Sequence, residues 1–122
     1  MKIAISSSGD NLESNVDARF GRCPYFAIVE IQDKKVKSSK FIKNIAATQM
    51  GGAGLSSAEL VGNQEVSAII TQNVGPKAFS VFNQLNINIY IGSGKISQVI
   101  EDFINGKLEK INQATGPTYM GK

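Results

Sequence analysis

The sequence predicts an α/β domain in which a mixed sheet of five strands carries three helices, in the order βββαβαβα. Two observations predict this fold class. The segment before Gly51 reads as strands and loops, whereas the segment after Gly54 alternates helical patterns with short apolar runs. At 122 residues, of which 42% are hydrophobic and 19% charged, the chain is long enough for one core. We expect a single domain over residues 1–112 and a flexible C-terminal tail over residues 113–122, which show no periodicity.

Three strands are predicted before the first helix. Lys2 to Ser6 is a short apolar run, and a long polar loop from Ser7 to Pro24 follows it. Tyr25 to Ile31 and Val36 to Ile42 have strand composition, and the polar residues between them are typical of a turn. This pair is expected to form a hairpin, so that the second strand is the one antiparallel strand of the sheet.

Helices and strands alternate in the second half of the chain. Leu55 to Val61 has helical composition, and strands are expected at Val66 to Ile70 and Ile87 to Ile91. The second helix begins at Gly75-Pro76, with proline at its first position, and the third ends near Asn105-Gly106. The apolar faces of these two helices consist of Ala78, Phe79, Phe82 and Leu85, and of Ile96, Val99, Ile100 and Phe103.

Strands one, three, four and five can all point in the same direction, with right-handed crossovers. The loops after them then meet at the carboxyl edge of the sheet, where open α/β folds bind ligands. That edge is expected to gather Ser6 to Gly9, Arg19 to Cys23, Gly51 to Gly54, Thr71 to Pro76 and Gly92 to Gly94.

Composition excludes several classes of function. The sequence has no histidine and one cysteine, which removes Ser-His-Asp and Cys-His catalysis and the usual zinc and four-thiolate iron–sulfur sites within one chain. No apolar run is long enough to cross a bilayer, and strand-like sequence begins where a signal peptide would lie. We therefore expect a cytoplasmic protein with no membrane partner.

The net charge of +3 and the pI of about 9.1 raise the question of a nucleic-acid partner. The lysines are concentrated in one hairpin arm, at Lys34, Lys35, Lys37, Lys40 and Lys43. Lysines on an exposed edge strand commonly prevent pairing with another chain, and a nucleic-acid surface would also need exposed aromatic residues. We expect edge protection, no nucleic-acid partner, and a monomer or weak homodimer.

The glycine-rich turn from Met50 to Gly54 is the first candidate binding element. Gly51, Gly52 and Gly54 would let the backbone turn tightly and expose N–H groups at a helix start, which favours an anion. The alternative is that these glycines only form a tight loop. Gly75 and Ser93 allow the same two interpretations, as anion contacts or as helix starts. Asn73, in the loop before Gly75, is a further candidate contact for the ligand.

The loop before the second strand supplies a second candidate group, with Arg19, Gly21, Arg22 and Cys23. Arginines three residues apart could both pair with an anionic ligand, or they could form salt bridges to nearby aspartates that only fix the loop. Guanidinium groups nearby would favour the Cys23 thiolate, the form that ligates metal, which makes Cys23 the one candidate metal ligand. The alternative is a small buried thiol at the start of a strand.

Five short motifs follow one another over nearly the whole chain, namely Arg19-Phe20-Gly21-Arg22-Cys23-Pro24-Tyr25-Phe26, Gly51-Gly52-Ala53-Gly54, Val74-Gly75-Pro76-Lys77-Ala78, Tyr90-Ile91-Gly92-Ser93-Gly94 and Asn105-Gly106-Lys107-Leu108. This ordered set resembles the dinitrogenase iron-molybdenum cofactor biosynthesis family. The resemblance implies a ribonuclease H-like fold and, as in characterised relatives, binding and carriage of the iron–molybdenum cofactor or its iron–sulfur precursor. Proteins that donate or receive the cluster are the implied partners. Arg19 stands where the family often has histidine, so no histidine ligand is available.

Three functions follow from these observations. The leading hypothesis is a non-catalytic carrier of an anionic metallocluster, acting in its assembly or transfer. The second is a module that binds a small anion or nucleotide through the same glycine loops without metal. The third, a nuclease, requires carboxylates on the central strands, and Lys2 to Ser6 and Val66 to Ile70 contain none. Only the name of the implied fold suggests a nuclease, and a fold does not carry a function with it. We therefore reject the nuclease and expect no enzyme activity.

Overall fold

In the computed structural model, which describes residues 1–115, six strands and three helices form. The strands are β1 (Lys2–Ser7), β2 (Tyr25–Gln32), β3 (Lys35–Lys43), β4 (Ala68–Thr71), β5 (Asn88–Ile91) and β6 (Glu109–Ile111). The helices are α1 (Ala53–Gly62), α2 (Pro76–Gln84) and α3 (Ile96–Ile104). The α/β class and the three helices are confirmed, whereas the prediction of five strands is wrong.

All six strands join one mixed sheet in the spatial order β3-β2-β1-β4-β5-β6. β1 pairs in parallel with β4, and β4 with β5. β2 is antiparallel to both β1 and β3, as the hairpin pattern predicts. β6 adds a third antiparallel pairing, with β5, so β2 is not the one antiparallel strand that the sequence predicts. The sequence missed β6 because its three residues show no alternation of apolar and polar side chains, so only the pairing with β5 makes them a strand.

The helices cover the two faces of the sheet unequally. α1 and α2 contact each other and bury Ala58, Val61, Ala78 and Phe82 against one face. α3 alone buries Ile96, Val99 and Ile100 against the other. The predicted apolar faces are therefore largely confirmed. Leu85 is an exception, because it follows the last residue of α2 and is 52% exposed.

One boundary differs from the sequence prediction in a way that affects the site. α1 begins at Ala53, two residues earlier than predicted, so Gly54 lies inside the helix rather than in the turn. At the C-terminus, Thr115 exchanges two hydrogen bonds with Val74, its N–H donating to the Val74 carbonyl at 3.0 Å and its Oγ1 accepting from the Val74 N–H at 2.9 Å. The predicted tail begins at residue 113, and residues 116–122 lie outside the described part of the chain.

Within residues 1–115, none of the helices is both long and apolar enough to span a membrane.

Candidate functional site

The carboxyl edge of the sheet is crossed by one segment of the β1–β2 loop, residues 14–19. Val16 forms a bridge with Ser7, donates its N–H to the Gly94 carbonyl at 2.8 Å, and accepts a hydrogen bond from Gln72 Nε2 at 2.9 Å. Asn73 Nδ2 donates to the Ala18 carbonyl at 3.3 Å. These contacts join the loops after β1, β4 and β5, so the predicted convergence at this edge is confirmed.

The N-terminus of α3 is already filled by the same β1–β2 loop. The N–H groups of Ile96 and Ser97 donate to the carbonyls of Ser14 and Leu12, at 2.8 and 3.0 Å. Ser93 is exposed and does not cap the helix, since the N-cap residue is Lys95. Ser93 lies in the loop between β5 and α3, next to Gly94, whose carbonyl accepts the Val16 N–H.

The N-termini of α1 and α2 differ from that of α3. Their N-cap residues are Gly52 and Gly75, and neither helix has a side chain bonded to its cap or an acidic residue in its first turn. Both helices follow strands that end at the carboxyl edge and contact each other. The positive ends of two helix dipoles therefore lie at this edge without a carboxylate from their own first turns.

Phe20 anchors the loop that carries the two arginines. Its side chain is fully buried, with its ring 5.3 Å from the ring of Phe26 and 5.1 Å from that of Phe82. Burial of such a ring typically contributes about 2–3 kcal/mol to stability. Phe20 therefore fixes the backbone from which Arg19 and Arg22 project.

Arg19 and Arg22 have different surroundings. The Arg19 side chain is 60% exposed, and its Nε lies 3.4 Å from the Asp17 carboxylate, which also accepts the Arg19 N–H at 2.8 Å. This is the salt bridge that the sequence analysis considered for the loop. Arg22 is half-buried, and its Nη1 donates to the carbonyl of Ala47 at 2.9 Å and to that of Gln49. Arg22 thus connects its own loop to the glycine-rich turn, and Arg19 is the more accessible cation.

Cys23 has the features of the buried thiol. Its side chain is fully buried, and Sγ donates to the Phe20 carbonyl at 3.2 Å. Burial, and secondarily the charge of Asp17, raise the pKa of the Cys23 thiol from 9.0 to about 12. The expectation that the arginines favour the thiolate is therefore wrong, because desolvation of the charged sulfur is the larger effect. This environment favours the structural interpretation of Cys23 over that of a metal ligand.

A buried amide and a buried hydroxyl hold the two loops together. Asn44 Nδ2 donates to the Cys23 carbonyl at 2.9 Å and to Ser57 Oγ at 3.0 Å. Ser57, on α1, also donates from Oγ to the Gly21 carbonyl at 3.1 Å. Buried networks of this kind fix one geometry when all their members are bonded. The carbonyls of Gly21 and Cys23 are thus already engaged within the protein.

The structure brings together two groups of the predicted residues and separates the third. Arg22, Gly21 and Cys23 join the turn of Gly51 and Gly52 and the first turn of α1, which contains Gly54. Asn73 and Gly75 lie beside the segment that carries Arg19, through the contact of Asn73 with Ala18. Ser93 lies in the loop before α3, the helix that covers the other face of the sheet.

Sequence reasoning missed the residues that position this site, above all Phe20, Asn44 and Ser57. It also missed a groove of about 640 Å³ between the loop after β4 and the β6 region, lined by Gln72, Ile91 and residues 109–115. Phe20 lies inside a motif that the analysis did quote, so its apolar character among polar neighbours was the available signal. Asn44 and Ser57 carry no such signal, because their roles depend on contacts between distant segments.

The donor set of the site suits the surface of a preassembled anion. Among residues 1–115, histidine, cysteine, aspartate and glutamate form no group of three that could hold a metal ion. The groups available at this edge are helix N-termini and guanidinium groups. They fit outer contacts with an anionic cluster better than direct ligation of its metal atoms.

Comparison with known proteins gives one family. The model of the family described as dinitrogenase iron-molybdenum cofactor matches residues 1–106. The uncharacterized protein MJ0580 of Methanocaldococcus jannaschii is 45% identical over 111 residues, which cover 90% of this chain and 91% of that protein. A second protein of that archaeon, MJ0327, is 34% identical over 113 residues, which cover 92% of this chain and 95% of the relative.

Solved structures agree in fold. The apo form of the orange protein from Desulfovibrio gigas superposes with a TM-score of 0.87, covering 94% of this chain and 96% of that chain at 24% identity. The crystal structure of MJ0327 superposes with a TM-score of 0.74 and covers 93% of this chain and 96% of that chain. The first likeness concerns the fold alone, whereas the family match spans the arginine loop and both uncapped helix starts. The chain therefore belongs to the dinitrogenase iron-molybdenum cofactor family.

Proposed function

We propose that this protein is a non-catalytic carrier for an anionic metallocluster, either the iron–molybdenum cofactor or an iron–sulfur precursor of it. The observation that carries the proposal is the pair of helix starts at Gly52 and Gly75, which have no side-chain cap and belong to two helices that contact each other. The segments before them bond to the loop of Arg19 and Arg22. Helix N-termini and guanidinium groups both stabilise negative charge. Membership in the family directs this general preference towards a cluster of this type.

Each candidate residue has a distinct role in this proposal. The exposed guanidinium of Arg19 contacts the cluster, and Arg22 positions the glycine-rich turn through its bonds to Ala47 and Gln49. Because Gly51, Gly52 and Gly75 have no side chains, the cluster can approach the backbone N–H groups closely at these positions. The cluster is cargo, bound by outer contacts, and no bond is made or broken by the protein. Cys23 and Ser93 are not needed as ligands.

The proposal also includes the partners and the fold relation implied by the family resemblance. Proteins that donate the cluster or receive it are the proposed partners, and the protein acts as a monomer or weak homodimer. A ribonuclease H-like relation is supported by the mixed sheet, in which β2 runs antiparallel to both of its neighbours.

The test is anaerobic mixing of the purified protein with isolated iron–molybdenum cofactor. Molybdenum and iron that remain with the protein after gel filtration, together with the absorption and electron-paramagnetic spectra, report binding. Arg19→Ala should weaken binding by the worth of one charge-assisted contact, on the order of 1.5–3 kcal/mol, or roughly ten- to a hundredfold. Lys107→Ala, which removes an exposed charge before β6, is the matched control and should bind like the parent.

The variants Arg22→Ala and Arg22→Lys test whether Arg22 contacts the cluster directly or only positions the glycine-rich turn. Loss of the guanidinium should weaken cluster binding and also speed amide exchange in residues 44–52, because two carbonyls lose their donor. Lysine keeps the charge but replaces the planar guanidinium with a compact ammonium on a shorter side chain, so it should restore only part of the affinity. If neither the cofactor nor an iron–sulfur precursor binds the parent protein, the carrier proposal fails. Binding of phosphate or a nucleotide by calorimetry would then favour the small-anion alternative.

A further inference from the structure

The edge strand β3 carries a concentration of positive charge that the candidate site does not use. Lys35, Lys37, Lys40 and Lys43 lie on β3, with Lys34 in the turn before it, and all are exposed. Three ion pairs form among residues 1–115, and none of them involves these lysines. The sequence has no acidic residue from Lys34 to Ala58. This edge is therefore a basic surface whose lysines form no ion pair with the described residues.

The charge is a local feature of β3 rather than a property of the whole chain. The sequence has thirteen basic and ten acidic side chains. Without the five lysines at residues 34–43, eight basic and ten acidic side chains remain. The rest of the molecule is therefore slightly acidic in formal charge, and an acidic partner would be directed to this one edge.

β3 also offers a long unpaired backbone. It is nine residues long and occupies one end of the sheet, whereas β6 at the other end has three residues. An end strand bonds to a neighbour on one side only, so alternate N–H and C=O groups point outward along β3. Such an edge can accept an extended segment from another chain as an additional strand.

The side chains of β3 indicate what that segment should contain. Residues opposite each other share a face of the sheet, and Lys40 lies opposite Ile28 whereas Lys43 lies opposite Tyr25. Ile28 and Phe26 face the α1–α2 side, whereas Tyr25 and Ala27 face the α3 side. An added strand would thus meet lysines on both faces, and its acidic side chains would form cross-strand pairs with them.

We propose that β3 is a docking edge for an acidic, extended segment of a partner protein, which adds to the sheet as a seventh strand. The lysines have two effects. They repel a second copy of this chain, which would place lysine against lysine, and they attract an acidic strand. Beside them Val36 is 43% exposed, and Phe41 and Ile42 are half-buried. These residues give a protein segment apolar contacts, while no fully exposed aromatic ring on β3 offers a stacking surface to nucleic acid.

The test uses a fluorescein-labelled peptide about the length of β3, in which pairs of glutamates alternate with pairs of valines so that both faces of the added strand carry acidic side chains. Anisotropy is measured with the full chain. Binding should weaken as salt rises from about 50 to about 300 mM, because the contacts are exposed charge pairs. Lys35→Glu with Lys40→Glu should weaken binding roughly tenfold or more, since each exposed pair is worth up to about 1 kcal/mol and reversal turns attraction into repulsion. Lys107→Glu with Lys110→Glu makes the same change in net charge at the β6 edge and should leave binding unchanged.

A second probe isolates the backbone contribution. The same peptide, N-methylated at alternate residues, keeps its charge but lacks the N–H groups needed to pair along one edge, and it should bind at least tenfold more weakly. Equal binding of the methylated peptide would overturn strand addition. If the β6-edge variant lost as much binding as the β3 variant, net charge alone would explain the effect, and the proposal would be overturned. Tighter binding of a single-stranded oligonucleotide than of the peptide would assign the edge to nucleic acid and overturn the proposal.

Discussion

Cys23 shows how the surroundings of one side chain decide its chemistry. The thiol lies in the same core cluster as Phe20 and Phe26, and it donates to a backbone carbonyl within its own loop. Its neighbours in sequence are Arg22 and a proline, but the Arg22 guanidinium is bonded to carbonyls of another loop. The cation that would stabilise a thiolate is therefore used elsewhere, and burial keeps the thiol protonated.

The raised pKa of Cys23 predicts a specific dependence of stability on pH. The unfolded chain loses the thiol proton near pH 9.0, whereas the folded chain retains it to about pH 12. Between these values the unfolded state binds fewer protons, so the free energy of unfolding falls as pH rises, by at most about 1.4 kcal/mol per pH unit. Urea unfolding of the parent and of Cys23→Ala at several pH values from about 8 to about 10.5 measures this.

The variant has no thiol, so the difference in stability between the two proteins should change with that slope and in that direction. Titration of lysines and tyrosines affects both proteins equally and cancels. A difference that is independent of pH would mean that the Cys23 thiol ionises as easily in the folded protein as in the unfolded one. That result would revive Cys23 as a candidate metal ligand.

In the glycine-rich turn, a glycine can be needed either for the backbone conformation or for ligand binding, and the two needs can be tested separately. Gly52 has φ of 71°, in the left-handed region, and precedes α1. A Cβ at Gly51 would have no atom within 4 Å, and a Cβ at Gly52 would meet Gln49 Nε2 at 3.5 Å, which is ordinary contact. Space therefore does not require glycine at either position, and backbone conformation requires it only at Gly52.

Alanine at each glycine tests this difference. Gly52→Ala should lower the free energy of unfolding by about 1–2 kcal/mol, the usual cost of a left-handed conformation for a residue with a Cβ. Gly51→Ala should change it by less than about 0.5 kcal/mol, as expected at an exposed site without special geometry. Both are measured by urea denaturation.

The same two alanine variants also test the proposal that the turn binds the cluster. If Gly51→Ala keeps the stability of the parent but weakens binding of the iron–molybdenum cofactor, the turn approaches the cluster closely. If both variants are equally stable, the left-handed conformation at Gly52 is not what ends the turn, and the structural argument for this position is wrong.

At the scale of the whole molecule, the sheet separates two surfaces with different chemistry. The carboxyl edge holds the uncapped starts of α1 and α2 with Arg19, and the outer edge holds the lysines of β3. Asn44 follows directly after β3 and bonds to the loop of Arg22 through the Cys23 carbonyl and to α1 through Ser57. A partner strand on β3 would therefore lie next to the site at which cargo is proposed to bind.

The whole-molecule arrangement also predicts that RNA–DNA hybrids are not cleaved. Nuclease chemistry on such a sheet needs carboxylates that hold metal ions, and β1, β4 and β5 contain no aspartate or glutamate. A labelled hybrid incubated with Mg²⁺ or Mn²⁺ should remain intact on a denaturing gel. Metal-dependent cleavage that elutes with the pure protein, and is lost on its removal by immunoprecipitation, would contradict this expectation.

The sequence alone determined the features that depend on local pattern and chain order. The strand composition and polar turn of the hairpin, the proline at the start of α2 and the apolar stripe of α3 each specify an element through local sequence. The parallel order of β1, β4 and β5 follows from connection rules, and it correctly placed the loops at one edge. The family followed from motifs in that same order.

Tertiary structure alone decided which polar groups are hydrogen-bonded within the protein and which are available to a ligand. Arg22 bonds to carbonyls about 25 residues away in sequence, Asn44 joins three segments, and the α3 N-terminus is filled by Leu12 and Ser14. β6 became a strand only through β5, and burial rather than neighbouring charge set the pKa of Cys23. Hydrogen bonding and desolvation depend on which distant atoms share a space, and no local pattern in the chain encodes that.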